Sequence, residues 1–164
     1  MATSETGATS ESVVSAYESA SAGSRAAFDR ATEVMPGGAK GAYYYPPYPL
    51  FFERAEGARV TDVDGRVLVD FANHHTAQIL GHGHPAVIDA VNQQVSRGIV
   101  LGGPTGIETE LAEELCGRVE SLERVRFCNS GTEATLHAIR LARGITARSR
   151  IAKFEGGYHG SHDA

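Results

Sequence analysis

The residues from Asn129 to Glu133 combine hydrogen-bonding side chains and a glycine with the start of a helical pattern, in the stretch NSGTEATLHAIRLARG. The first backbone N–H groups of a helix lack intrahelical partners, and together with the helix dipole they favour a negatively charged ligand. Gly131 would let a ligand approach the backbone, and Ser130 and Thr132 add hydroxyl groups. Ser130 and Glu133 also have the spacing of a capping box, which needs no ligand. This stretch alone therefore predicts either an anion site or a capped helix start.

A second polar segment, EGGYHGSHD at 155–163, follows a short apolar run. Gly156 and Gly157 would leave room beside a ligand, and the ring of Tyr158 could lie on a flat heterocycle, although a core tyrosine is the alternative. We predict strands at 124–129 and 150–154 with a helix from 131 to about 146 between them. Such a unit has parallel strands and a right-handed crossover, so both polar loops should face one crevice at the carboxyl edge of the sheet.

Other residues with possible chemistry are histidines and one lysine. His82-x-His84 and His159-x-x-His162 could be metal pairs, but Asp163 is the only acidic or cysteine partner at familiar spacing, so we expect no metal. The HGHP motif instead favours capping of a helix that begins at Pro85. Lys40 lies beside an aromatic loop, where it is either solvated or a ligand for a substrate carboxylate.

The organisation of the chain follows from composition and periodicity. Residues 1–23 have few large apolar side chains, which predicts a mobile tail. The rest of the chain divides into residues 24–72 and 73–164, and the family resemblance given below implies that the first is an N-terminal segment of a smaller domain and the second the first part of a large domain. The elements predicted in order are a helix at 24–35 with Ser24 as N-cap, an extended aromatic loop at 41–52, a hairpin at 58–71 that turns at 62–65, a helix from Pro85 to Gly98, and a helix bearing Ile107, Leu111, Leu115 and Val119.

Composition excludes several classes of protein. The chain has 164 residues, a net charge of −5 and a pI near 5.8, which argues against nucleic acid or an anionic membrane as a partner. No stretch approaches the roughly 20 apolar residues of a spanning helix. The two cysteines, Cys116 and Cys128, have no metal-ligand spacing and are typical of buried free thiols in a reducing compartment, so we expect a cytoplasmic protein.

Four segments together resemble a known family. They are ERAEGARVTDVDGRVLVDF, ILGHGHPAVIDAV, RVRFCNSGTEATLHAIRLARG and KFEGGYHGSHD. In order and spacing they resemble the N-terminal part of class III pyridoxal-phosphate-dependent aminotransferases. Within that family the nearest groups are the glutamate-1-semialdehyde 2,1-aminomutases and the β-phenylalanine-type aminotransferases.

The resemblance implies an α/β fold, the N-terminal part of fold type I, in which helices cover both faces of a parallel-rich sheet. It implies a homodimer that uses pyridoxal 5'-phosphate and acts on a small amino acid or amine and a keto or aldehyde partner. By the same resemblance Ser130, Gly131 and Thr132 hold the cofactor phosphate, and Tyr158 stacks on its ring with His159 beside it.

The resemblance also implies that Lys40 and His74 contact the substrate, and both residues depart from the family pattern. Lys40 stands where an arginine often binds the substrate carboxylate, and lysine cannot bind a carboxylate through a bidentate fork. His74 belongs to NHHTAQ, where the aminomutases have a Ser-Trp pair.

The resemblance also implies that the catalytic lysine is missing from these residues, because in the family it lies beyond the position of Ala164. The chain has two lysines, Lys40 and Lys153, and the second falls within a predicted strand. We therefore expect an N-terminal piece of an aminotransferase that is inactive alone. An aminomutase, which moves an amino group within one molecule, and a non-catalytic binding module are the alternatives.

Overall fold

The computed structural model describes residues 6–39 and 46–162, without the side chains of residues 6–11. It forms two compact units, residues 1–99 and 100–164. The elements of the first unit are α1 (Thr6–Ala20), α2 (Ala22–Thr32), a 3-10 turn (Pro36–Gly38), β1 (Phe52–Glu56), β2 (Arg59–Asp62), β3 (Val67–Val69), the single turn α3 (Asn73–Thr76) and α4 (Pro85–Arg97). Those of the second are α5 (Gly106–Arg118) and α6 (Gly131–Thr146).

Helix α1 occupies most of the segment that we predicted to be a mobile tail, and for these residues that prediction is wrong. The hydroxyl of Tyr17 donates a hydrogen bond to the carbonyl oxygen of Tyr48 at 2.6 Å, and the two ring centroids lie 5.3 Å apart. The composition of the segment did not reveal this contact, because the ring that receives it lies 31 residues along the chain.

Helix α2 begins earlier than predicted, with Ser21 rather than Ser24 as N-cap, and the Ser21 side chain makes no capping hydrogen bond. The carboxylate of Asp64, in the turn between β2 and β3, accepts instead from the backbone N–H groups of Gly23 at 2.6 Å and Ser24 at 3.0 Å. Ser24 is fully buried and its hydroxyl also donates to Asp64. A side chain from the sheet therefore caps this helix.

The sheet has the order β1-β2-β3 with both pairs antiparallel. The hairpin predicted at 58–71 is confirmed, and the carboxylate of fully buried Asp62 closes its turn by accepting from the N–H groups of Asp64 and Arg66. The same carboxylate accepts from the Arg66 Nε–H at 2.7 Å. Strand β1 was not predicted, because its residues were assigned in part to the aromatic loop.

Tyr48 is the largest buried side chain at the junction of these elements, with 1% of its surface exposed. Its ring lies 6.4 Å from that of Phe28 and under the guanidinium of Arg25 at 5.2 Å. This packing attaches the aromatic loop to α2. Lys40 and residues 41–45 of that loop lie outside the described residues.

Helices α4 and α5 confirm two predictions made from periodicity. Pro85 begins α4, Gly98 caps its end with φ 100°, and Thr105 is the N-cap of α5. Their apolar stripes are about half exposed in this structure, at Val87, Ile88, Val91, Val95, Ile107 and Leu111. No helix within residues 6–39 and 46–162 is long and apolar enough to cross a membrane. Cys116 and Cys128 are free but half-buried rather than buried.

The segments 124–129 and 150–154 are not strands in this structure, so that part of the predicted βαβ unit is wrong, whereas its helix is confirmed as α6. Two strands alone are marginal, and parallel strands need further strands and cover on both faces. Residues 100–162 contain no strand in this structure. Apolar side chains of α6 are correspondingly exposed, with Leu141 at 64% and Ile145 at 76%.

Candidate functional site: the N-terminal turn of helix α6

Both interpretations of the NSGTE stretch meet at the start of α6. Ser130 is the N-cap, with extended backbone, and its hydroxyl oxygen accepts from the N–H of Glu133 at 3.2 Å. The Glu133 carboxylate accepts in return from the N–H of Asn129 at 2.7 Å. The capping arrangement is therefore present, although the return bond goes to Asn129 rather than to the N–H of Ser130 as in a standard capping box.

Capping leaves room for an anion. The Ser130 hydroxyl accepts from Glu133 and keeps its own proton, which it can donate. A methyl group placed on Gly131 would meet no atom within 4 Å, so a ligand can reach the backbone there. The first N–H groups of the helix are aligned with its axis, which favours negative charge. An anion can thus bind beside the cap.

The loop 155–162 packs on this same helix turn. The N–H of Ser161 donates to Thr132 Oγ1 at 3.2 Å, and the Thr135 hydroxyl donates to the carbonyl oxygen of His159 at 2.9 Å. Gly160 has φ 104°, and a Cβ at this position would lie 3.0 Å from the Thr132 Cα. The close approach and the left-handed backbone both require glycine here.

Tyr158 lies at the open side of this arrangement, with 78% of its surface exposed. Its hydroxyl is 3.2 Å from Ser161 Oγ. A hydrogen bond from the Ser161 side chain, and to a smaller extent one from Thr132, holds the Tyr158 pKa below its ordinary value of 10.0. The hydroxyl is thus tied to the residues at the helix start while the ring stays accessible, which suits stacking on a flat ligand.

Gly156 and Gly157 form a tight turn at the start of the loop. Gly156 has φ 71°, and the N–H of Gly157 donates to the carbonyl oxygen of Phe154 at 3.2 Å. A Cβ on Gly157 would lie 2.8 Å from His159 Nε2. The predicted room beside a ligand is therefore closed at Gly157, whereas a Cβ at Gly156 would meet no atom within 4 Å.

Thr135 joins both histidines of the candidate metal pair to the helix. It contacts the backbone of His159 and, at 3.1 Å, the Nε2 atom of His162. Since a hydroxyl has one proton and carbonyl oxygens compete for it, His162 Nε2 is assigned as the donor to Thr135. Among residues 6–39 and 46–162 no three His, Cys, Asp or Glu side chains form a group suited to a metal.

A cavity of about 420 Å³ lies between α6 and the segment 151–162. Its lining includes Thr135, Ile139, Lys153, Tyr158, His159 and His162. Lys153 is exposed and lines this cavity, and the prediction that it lies in a strand is wrong. The physical reason is the missing strand pairing at 150–154.

His74 lies in the first unit, on the turn α3, and Lys40 lies outside the described residues. His74 lines a cavity of about 580 Å³ together with Phe52, Arg54, Asp70, His75 and His82. The φ angles of Asn73, His74, His75 and Thr76 are 45°, 45°, 55° and 69°. Left-handed backbone costs roughly 1–2 kcal/mol per residue other than glycine, so the surroundings must impose this conformation.

Three residues near the two cavities were not predicted from the sequence. Ser161 and Thr135 have no motif of their own, although Thr135 is one turn from Thr132 and hence on the same face. Asp70 carried no signal for its pairing with His82, which is 12 residues away. These contacts depend on chain folding that spacing alone does not reveal.

Comparisons place these features in a family. Residues 41–164 match the family described as aminotransferase class-III. The glutamate-1-semialdehyde 2,1-aminomutase of Methanopyrus kandleri is 51% identical over 138 residues, which are 84% of this chain and 32% of that protein. That of Methanothermobacter thermautotrophicus is 49% identical over 83% of this chain and 33% of its own. The chain spans about a third of the length of these relatives.

Solved structures agree with this assignment. An omega-transaminase from Sphaerobacter thermophilus superposes with a TM-score of 0.81 at 47% identity, over 85% of this chain and 32% of its own. The β-phenylalanine aminotransferase from Variovorax paradoxus gives 0.88 at 38% identity, over 92% and 35%. The fold is that of the N-terminal part of these transaminases. This chain belongs to the class III aminotransferase family.

Proposed function

We propose that these residues form the phosphate-binding and ring-stacking part of a pyridoxal-phosphate-dependent enzyme that transfers amino groups. The observation that carries the proposal is the packing of loop 155–162 on the first turn of α6, where the Ser161 N–H reaches Thr132 Oγ1 and the Tyr158 hydroxyl lies beside Ser161. A structure described as a transaminase with PLP bound, 47% identical with a TM-score of 0.83, supports the choice of cofactor.

The residues present suit this cofactor. Ser130, Gly131 and Thr132 offer backbone and hydroxyl donors to a phosphate at a helix start. Tyr158 offers an exposed ring face, with His159 adjacent in the chain. When bound, pyridoxal phosphate supplies the aldehyde that receives the amino group and the ring that withdraws electrons. The chain's contribution is to hold and orient that group.

The remaining roles belong to the same proposal. Lys40 and His74 contact the substrate, which is a small amine or amino acid and a keto or aldehyde partner. The enzyme is a cytoplasmic homodimer, and its N-terminal segment and large domain divide at 72/73. The proposed homodimer is tested by light scattering, which gives the molar mass of the enzyme in solution.

An aminomutase is the second candidate, because curated relatives that are 43–51% identical to this chain bear that name. The two reactions differ in their co-substrate. An aminomutase converts glutamate 1-semialdehyde into the isomer with the amino group moved, without any second substrate. A transaminase forms a keto acid only when an amino donor and a separate acceptor are both present.

The proposed cofactor site is tested with Thr132→Ala, using a polypeptide that contains residues 1–164. One hydrogen bond to a charged group is worth about 1.5–3 kcal/mol, so pyridoxal phosphate affinity should fall by more than tenfold. Affinity is measured by titration of cofactor absorbance. Thr146→Ala, at the other end of α6, is the matched control because its hydroxyl donates to the Ala142 carbonyl within the helix.

Equal affinity in Thr132→Ala and the control would favour the simple capping interpretation of this turn. It would leave α6 with a well-formed start and no cofactor role.

A further inference from the structure

The left-handed turn α3 lies between two residues that hold each other. The Asp70 Oδ2 atom is 2.7 Å from His82 Nε2, and the side chains are only 13% and 20% exposed. The His82 hydrogen bond is the main cause that holds the Asp70 pKa below its ordinary value. Because the ionised carboxylate can only accept, His82 Nε2 carries the proton.

Both partners are fixed to the connection between β1 and β2. The N–H of Asp70 donates to the Ala58 carbonyl at 2.9 Å. His82 and Gly57 exchange two backbone hydrogen bonds of 2.8 and 2.9 Å. The carboxylate–imidazole pair therefore joins the two ends of the segment 71–81, and both ends are hydrogen-bonded to the β1–β2 connection.

The second carboxylate oxygen of Asp70 reaches the turn itself. Asp70 Oδ1 accepts from the N–H of Ala72 at 3.0 Å and of Asn73 at 2.8 Å. These bonds orient the chain as it enters four consecutive residues with positive φ. Thr76 is β-branched and strongly disfavours this backbone region, so an external constraint is required.

We infer that Asp70, held by His82, is a positioning residue that keeps α3 left-handed and thereby directs His74 into the cavity bounded by Phe52 and Arg54. The substrate role of His74 rests on the proposed function, whereas the control of the turn does not. Asp70 acts through the backbone N–H groups of the turn and touches no reacting atom. His82 acts indirectly, because its hydrogen bond holds the Asp70 carboxylate in place.

The test uses the full 164-residue chain, labelled with ¹⁵N and ¹³C. Positive φ brings each amide proton close to its own Hα, which gives strong intraresidue cross-peaks for residues 73–76. Asp70→Ala and His82→Leu should reduce these cross-peaks severalfold. His82→Gln should retain them, because the amide group can still donate to Asp70.

Asp64→Ala is the matched control, since Asp64 likewise accepts two backbone N–H bonds but at α2. It should lower stability and leave the cross-peaks of α3 unchanged. Cross-peaks of full intensity in both Asp70→Ala and His82→Leu would overturn the inference. Loss of the cross-peaks in Asp64→Ala as well would show a general loss of structure and would also overturn it.

The substrate role of His74 is tested by the NMR chemical shift of its imidazole when glutamate is added. The signal should shift in the natural chain and in His82→Gln, and should not shift in Asp70→Ala. A shift that persists in Asp70→Ala would overturn the positioning role. No shift in the natural chain would refute the substrate role of His74 in the proposed function, and the α3 cross-peaks would still decide whether Asp70 controls the turn.

Discussion

Single residues at the candidate site do two tasks at once. Ser130 caps α6 through its hydroxyl oxygen and keeps a proton for a ligand, and Thr132 both accepts from the Ser161 N–H and lies at the helix start. A hydroxyl group allows this because it has one donor and two acceptor positions. The capping and anion-binding interpretations of this stretch are therefore compatible.

Gly160→Ala should detach the loop 155–162 from α6. Its φ of 104° is strained for alanine, and the new Cβ would lie 3.0 Å from both the Thr132 Cα and Thr135 Oγ1. Strain of this kind costs about 1–3 kcal/mol. The exchange rate of the Ser161 amide hydrogen, which donates to Thr132, should rise by about tenfold or more.

Gly103→Ala is the control for this change, because a Cβ there meets no atom within 4 Å. Unchanged exchange at Ser161 in Gly160→Ala would mean that the loop adapts without losing its contact to the helix.

At the scale of elements, the first unit is joined by side chains that satisfy helix and turn ends from a distance. Asp64 caps α2 from the β2–β3 turn, and Asp62 closes that turn from within. Buried polar groups of this kind are tolerated because each is hydrogen-bonded. The helices and the sheet are thus joined by directional bonds as well as by the aromatic contacts of Tyr48.

The cap of α2 makes a pH-dependent contribution to stability. The hydrogen bond from the Gly23 N–H is the main cause that lowers the Asp64 pKa from 3.8, so the contribution is present above that value and is lost as the pH falls through the lower, folded-state pKa. Asp64→Asn should lower the melting temperature at pH 7, and its difference from the natural chain should shrink below pH 3.8. Melting curves from pH 2.5 to 7 measure this.

Asp29→Asn is the control, because Asp29 is largely exposed and its carboxylate pairs with Arg25 one turn away. A gap between Asp64→Asn and the natural chain that stays constant down to pH 2.5 would rule out the charged cap as its source.

At the scale of the whole molecule, apolar helix faces remain exposed in both units, on α4, α5 and α6. The chain spans about a third of the length of its curated relatives. The proposed phosphate and ring contacts lie in the second unit and His74 lies in the first. An activity therefore requires more than the groups gathered around α6.

The 164-residue chain alone should show no transaminase turnover. Lys153 lines the cavity beside Tyr158, but a catalytic lysine must also be aimed at the cofactor aldehyde and shuttle a proton. Purified chain with pyridoxal phosphate, an amino donor and a separate keto acceptor should form no keto acid from the donor above the rate of the same mixture without the chain. Turnover abolished by Lys153→Ala would identify that lysine as catalytic, and turnover that survives both Lys153→Ala and Lys40→Ala would place the chemistry elsewhere.

The sequence by itself determined those features that depend on neighbouring residues. The boundaries of α4, the start of α6 at Ser130 and the turn at 62–65 follow from local caps, glycines and periodicity. The candidate cofactor residues were likewise proposed from short contiguous family motifs, and their role stays a prediction.

Only the tertiary structure decided the rest, because those features depend on partners far along the chain. Helix α1 forms where composition predicted a tail, since Tyr17 reaches Tyr48. Asp64 caps a helix about 40 residues earlier, and Asp70 meets His82 across the turn α3. The segments 124–129 and 150–154 have strand-like sequences but form no strands, because β-structure needs hydrogen-bonding neighbours that periodicity cannot supply.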